Sequence, residues 1–90
     1  MATAIALIHR DEGSEYGISF PDFPGCVSGG ASLEEAFQRG SDALAAHVEA
    51  LMECGEALPT VRSFDALKAD PALAEDFADA VLVGVVDVDL

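Results

Sequence analysis

Tryptophan is absent from this 90-residue chain and tyrosine occurs once, so its core has to be built from five phenylalanines and aliphatic side chains. Basic residues are nearly as scarce. Arg10, Arg39, Arg62 and Lys68 stand against 17 Asp+Glu, a formal net charge of −13. Four bases scattered along the chain cannot build the patch that phosphate binding requires, which excludes direct nucleic-acid binding and anionic membrane surfaces. The N-terminal apolar run is only Ala4–Ile8 with no basic residue ahead of it, too short for a signal peptide or a membrane span. Cys26 and Cys54 are the only thiols and form no Cys-x-x-Cys pair. One disulfide is the most they allow; free thiols in a cytoplasmic protein are the expectation.

What is present argues for a folded domain. The hydrophobic fraction is 51% and the mean hydropathy +0.32, well outside the range in which acidic chains stay unfolded. Residues 1–90 make a single small domain, which buries about 60–65% of its unfolded surface. The charge leaves open a basic protein partner, a cation, or solubility alone.

Residues 3–9 are β-prone and end at Asp11-Glu12-Gly13-Ser14; Tyr16–Phe20 then alternates, with Tyr16, Ile18 and Phe20 on one face. These predict a hairpin. Pro21 and Pro24 interrupt the extended run, and a third strand is expected at about Cys26–Ser28 before Gly29-Gly30 turns the chain. Ser32-Leu-Glu-Glu35 has capping-box spacing. Apolar or small residues then recur from Leu33 to Met52 with a 3.6-residue period, predicting one long helix stopped near Gly55 and Pro59. Ser63 and Asp70-Pro71 are caps for one or two short helices reaching about Ala78. Ala80–Leu90 closes the chain as a strand. Its first half is apolar on both faces and predicts a central, doubly covered position; further on, Val85, Asp87 and Asp89 share one face and Val86, Val88 and Leu90 the other.

The chemistry-bearing residues are few. His9 falls at a strand end and His47 on the helix stripe; neither has a nucleophile signature around it, so both read as packed histidines. Cys26 and Cys54 read as small buried residues, because no basic neighbour would activate either thiol. Gly29-Gly30 precedes a helix but lacks the lysine of a phosphate loop. No cofactor is indicated. Asp87, Asp89 and Asp22, or Asp11 and Glu12 beside them, could converge on divalent metal as in an RNase H-type nuclease. With 17 acids such sets arise easily, most of them solvated surface, and no basic residue is there to hold a nucleic-acid substrate. The expectation is no metal site and no enzyme.

The informative segment is Phe20-Pro-Asp-Phe-Pro-Gly-Cys-Val-Ser-Gly-Gly-Ala-Ser-Leu-Glu-Glu-Ala36. Two prolines restrict φ, Gly25 can adopt positive φ, and Asp22 can bond nearby amides, so the run makes a rigid corner held on the helix by Phe20 and Phe23. As a whole it resembles the N-terminal domain of HicB-like antitoxins, through Phe20, Pro21, Asp22, Pro24, Gly25, Cys26, Gly29, Leu33, Glu34, Glu35 and Ala36, with Gly55 and Pro59 following. The resemblance covers residues 3–60 strongly and the rest by order of elements.

It implies an α+β, partial RNase H-like fold of order β-β-β-α-(α)-β, with a small mixed sheet on one long helix. It further implies the antitoxin of a type II toxin–antitoxin system, covering the active site of a small basic HicA-type toxin that cleaves mRNA. An acidic protein on a basic RNA-binding surface is the electrostatic match that a charge of −13 provides. Asp11, Glu12, Asp22, Glu34 and Glu35, near strand ends and the helix start, are the candidate toxin contacts. The apolar last strand, at a sheet edge, would favour a homo-oligomer, dimer or tetramer. Many relatives carry a C-terminal DNA-binding domain; residues 1–90 are expected to hold none and include no basic segment, so DNA binding is not carried over, whether this is a domain-only member or a piece of a longer chain. Two rivals stand beside this reading: an orphan oligomerising or structural domain without a toxin, and a divalent-metal nuclease using Asp87, Asp89 and Asp22.

Overall fold

A computed structural model describes residues 2–90. The elements run β1 (Ala2–His9), β2 (Tyr16–Ser19), β3 (Val27–Gly30), α1 (Leu33–Glu53), α2 (Phe64–Ala69), a 3-10 turn at Pro71–Leu73, α3 (Ala74–Asp79) and β4 (Leu82–Val88). The α+β class and the order of elements are as expected. The sheet is not mixed, however: its order is β3-β2-β1-β4 and all three pairings are antiparallel.

β1 is the strand buried on both sides. Ala4, Ala6 and Ile8 join Ile18, Phe20, Leu44, Val48, Val86 and Val88 beneath α1, while Ile5 and Leu7 pack with Leu67 and Phe77 of α2 and α3. Small residues on the α1 side of β1 let the long helix approach the sheet closely. Gly40 sharpens this: a Cβ there would lie 2.6 Å from Ile18 Cδ1. Burying Leu44 and Val48 against the sheet contributes about 1.5–3 kcal/mol each, which is what holds α1 in place.

β4 departs from its prediction. It is an edge strand, with Val81, Leu82, Val83 and Val85 exposed. The connection through α2 and α3 brings it back antiparallel beside β1, and those short helices pack on β1 and leave Leu82, Val83 and Val85 of β4 exposed. The alternation at its end is as predicted, with Val86 and Val88 buried and Asp87 exposed. The third strand is also displaced toward the glycines. Gly29 and Gly30 are ladder residues opposite Gly17 and Tyr16, not a turn. They admit close neighbours: a Cβ on Gly30 would meet the Ala36 amide at 2.7 Å, so the first turn of α1 can sit on the strand end.

The caps follow the sequence closely. Ser32 Oγ accepts from the Glu35 amide, and Glu35 reaches back to the amide of Ala31, one residue ahead of the cap. At the other end, Gly55 adopts φ +71°, with bonds from Gly55 N to Met52 O and from Glu56 N to Leu51 O. That pair is the Schellman arrangement. Ser63 and Asp70 cap α2 and the 3-10 turn through the amides of Ala66 and Ala72.

Candidate functional site

The Phe20–Cys26 segment folds as two successive turns, Phe23 N donating to Phe20 O and Cys26 N to Phe23 O. Pro21 and Pro24 occupy the second position of each turn. Gly25 at φ +88° supplies the positive φ that a type II turn needs at its third position. Phe20 and Phe23 are buried beneath α1, and Phe23 meets the half-buried His47 edge-to-face at 6.3 Å. Corner and helix are thus one unit, as the motif implies.

Asp22 makes the link that no local reading supplies. Its side chain is buried, 5% exposed, and its partner is not a neighbouring amide but Arg62, forty residues on. Oδ2 accepts from the Arg62 backbone N–H and Oδ1 from Arg62 Nε, both at 2.7 Å. Arg62 Nη1 donates in turn to Asp70 Oδ2 at 3.0 Å, and Asp70 Oδ1 caps the 3-10 turn. A buried carboxylate is tolerated only when paired and hydrogen-bonded; here both oxygens are engaged. Hydrogen bonds to Asp22 and Asp70 push the Arg62 pKa up. The Ala72 amide, and then Arg62, hold Asp70 below the ordinary carboxylate value. The network fastens the β2–β3 corner to the segment that launches α2. Its charge is satisfied inside the domain.

The other predicted acids gather elsewhere. His9 pairs with Gly17 and Tyr16 with Gly30, so the β1–β2 loop and the start of α1 lie at the same end of the sheet. Asp11 and Glu12 are exposed in that loop, and Glu34 is exposed on the first turn of the helix. Glu35 is half-buried and engaged with Ala31 N and Arg39. Asp22 stands at the opposite turn of the β2–β3 hairpin and does not join them.

His9 gains two partners that its sequence context does not reveal. Nδ1 faces Asp79 Oδ2 at 3.0 Å and Nε2 faces Ser19 Oγ at 3.3 Å. Asp79 is 72% exposed and ends α3, and Ser19 is held in the β2 ladder. The three groups tie the end of α3 to the hairpin. Ser19 and Asp76 also line a cleft of about 270 Å³ whose other walls include Leu7, Phe20, Pro21, Val27 and Leu73.

The acids of the nuclease alternative are not brought together. Asp22 is held by Arg62 at the corner, whereas Asp87 lies on β4, at the opposite edge of the sheet from β3, with Asp89 just beyond that strand. Among the described residues no three His, Cys, Asp or Glu side chains are grouped to hold a metal ion. Both cysteines are free. Cys26 is buried, which pushes its pKa up; Cys54, expected to be buried, is exposed where α1 ends. No helix among the described residues is long and apolar enough to cross a membrane.

Arg62 is the residue that the sequence reading passed over. The available signal was its scarcity: one of four bases, seven residues after Gly55 and near no basic neighbour, in a chain with 17 acids to choose from.

Comparison with known proteins agrees with this architecture. The family model described as "HicB_like antitoxin of bacterial toxin-antitoxin system" matches residues 4–90. The chain is similar to the crystal structure of the N-terminal domain of Burkholderia pseudomallei antitoxin HicB, with a TM-score of 0.81, 34% identity, and coverage of 99% of this chain and 100% of that one. A chain of the HicA3 and HicB3 toxin–antitoxin complex superimposes with a TM-score of 0.75 at 27% identity, covering 99% and 100% of the two chains. In sequence, an uncharacterized 14.9 kDa protein of the rep-hol intergenic region of Haemophilus phage HP1 is 39% identical over 75 residues. That match takes in 83% of this chain but 53% of the phage protein, so the chain spans about half the length of that relative. The protein belongs to the HicB-like antitoxin family of bacterial toxin–antitoxin systems.

Proposed function

We propose that the protein neutralises an mRNA-cleaving toxin of the HicA type in the cytoplasm by covering its active site, acting as a binding module without catalysis of its own. The observation that carries this reading is the placement of charge. Exposed Asp11, Glu12 and Glu34 share one end of the sheet, on a chain of net charge −13. An RNA-cleaving toxin has to present a basic surface to its substrate, and an acidic partner competes for that surface while steering association. Two of the four bases, Arg39 and Arg62, are held in ion pairs within the chain, and the remaining Arg10 and Lys68 are too few to make a surface for RNA or DNA. The protein also self-associates through its open last strand.

The test is co-expression with the small basic reading frame adjacent to the gene. The two proteins should co-purify, and the antitoxin should rescue growth. Reversing charge at Asp11, Glu12 and Glu34 together should abolish rescue and weaken the salt dependence of binding; undiminished rescue would refute the assignment of that surface. A gene with no small basic neighbour would favour the orphan structural role.

A further inference from the structure

Leu7, Ser19 and Val27 are directly paired across β1, β2 and β3, and opposed residues of an antiparallel ladder project from the same face. Leu7 packs with Leu67 and Phe77, so this face is turned toward α2 and α3 and away from α1. The row lines the cleft of about 270 Å³ together with Pro21 of the corner, Leu73 of the 3-10 turn and Asp76 of α3. His9, two residues beyond Leu7, lies on the same face. Its ladder partner is Gly17, which has no side chain, so the imidazole can lean along the diagonal to Ser19. Nε2 stands 3.3 Å from Ser19 Oγ, and Nδ1 stands 3.0 Å from Asp79 Oδ2. Asp76 and Asp79 are three residues apart on α3, neighbours on a helix surface. One short helix thus both lines the cleft and reaches the ring.

The tautomer that donates from Nδ1 to the carboxylate leaves Nε2 as the acceptor for the Ser19 hydroxyl. A hydroxyl, a base within reach and a third group orienting that base make up an activated nucleophile. At 3.3 Å the serine bond is long, as such bonds often are before a substrate binds.

We propose that Ser19 is an acyl-acceptor site, its Oγ taking a short acyl group from a neutral activated ester in the cleft. Oγ attacks the ester carbonyl carbon while its proton passes to His9 Nε2. The new Oγ–acyl bond forms, the bond to the leaving oxygen breaks, and His9 returns the proton to that oxygen. The product is O-acyl-Ser19, one group per chain without turnover, so the step goes beyond toxin neutralisation and leaves it unaltered. The cleft sets the donor. Its volume is just under the usual range for small-molecule sites, which suits an acyl group of a few carbons. Asp76 in the wall and a net charge of −13 disfavour anionic donors such as acyl phosphates. Asp79 acts as a positioning residue, and at 72% exposure its hold on the imidazolium is screened by water. Ser19 is therefore reactive toward esters with a good leaving group and not toward amides.

A purely structural tie between α3 and the hairpin would use the same hydrogen bonds but give Ser19 no special reactivity. p-Nitrophenyl butyrate separates the two, applied to the full chain in a Cys54→Ser background and read by intact mass and peptide mapping. The folded chain should gain one butyryl group at Ser19, about 10²-fold faster than at Ser14, the exposed serine of the β1–β2 loop. The rate should rise with pH and level off, through one ionisation that His9→Gln abolishes. Asp79→Asn should lower the plateau and Asp79→Glu should restore part of it; an unchanged plateau in Asp79→Asn overturns the positioning role. Equal labelling of Ser19 and Ser14, or labelling of His9→Gln at the parent rate, overturns the site outright. A rate that climbs steadily into alkali is hydroxide-driven and overturns it as well. Circular dichroism checks that each variant is folded, and the Ser14 comparison and the pH profile are read on the unsubstituted site.

Discussion

Replacing Asp22 by asparagine tests whether the acid of the Phe20–Cys26 motif is a structural strut or a partner contact. The carboxylate accepts two hydrogen bonds at 2.7 Å from Arg62, each worth about 1.5–3 kcal/mol because charged groups take part. Asparagine keeps the shape but turns one acceptor into a donor, so one bond is lost and one donor is left facing another. The expected cost is about 2–4 kcal/mol, a large part of the roughly 5–13 kcal/mol available to a domain of this length. With a urea m-value of about 1 kcal/mol/M, the midpoint should fall by about 2–4 M. Circular dichroism is the suitable probe, since the chain has no tryptophan. The Asp22→Asn/Arg62→Met double variant should lose less than the sum of the singles, because both act on one network. A midpoint shift below about 0.5 M in Asp22→Asn would refute the structural role, and lost toxin binding at unchanged stability would make Asp22 a contact residue.

Three further outcomes follow from the packing and the charges. Gly40→Ala should destabilise by about 1–2 kcal/mol in urea titration, because the clash with Ile18 at 2.6 Å outweighs the better helix propensity; net stabilisation would show that Ile18 repacks freely. Asp70 has its folded-state pKa lowered by the Ala72 amide and Arg62. The unfolded chain therefore binds its proton more readily, and the stability Asp70 contributes is present above about pH 4 and lost as pH falls through the lowered folded value. Asp70→Asn should be less stable than the parent at neutral pH, and the two should converge in strong acid when unfolding is followed by circular dichroism. Ellman's reagent should find one fast thiol per native chain, removed by Cys54→Ser, with Cys26 reacting only on unfolding; fast loss of both would contradict the burial of Cys26.

Sequence alone determined whatever depends on neighbours within a few residues. The α1 period, the Ser32 and Ser63 caps, the Gly55 stop, the Pro24-Gly25 turn and the hairpin all rest on backbone conformation and local hydrogen bonds, which act over three to five positions. Family membership was legible for the same reason, since the motif is one contiguous run. Tertiary structure decided what depends on which distant segments meet. Apolar composition on both faces of Ala80–Val86 describes a strand that wants covering, but not whether its own chain supplies the cover; α2 and α3 reach β1 and leave β4 at the edge. Gly29 and Gly30 carry the composition of a turn and became strand because β2 and the first turn of α1 press against them. Asp22 and Arg62 are forty residues apart, and only the packed corner excludes enough water to make each the other's required partner.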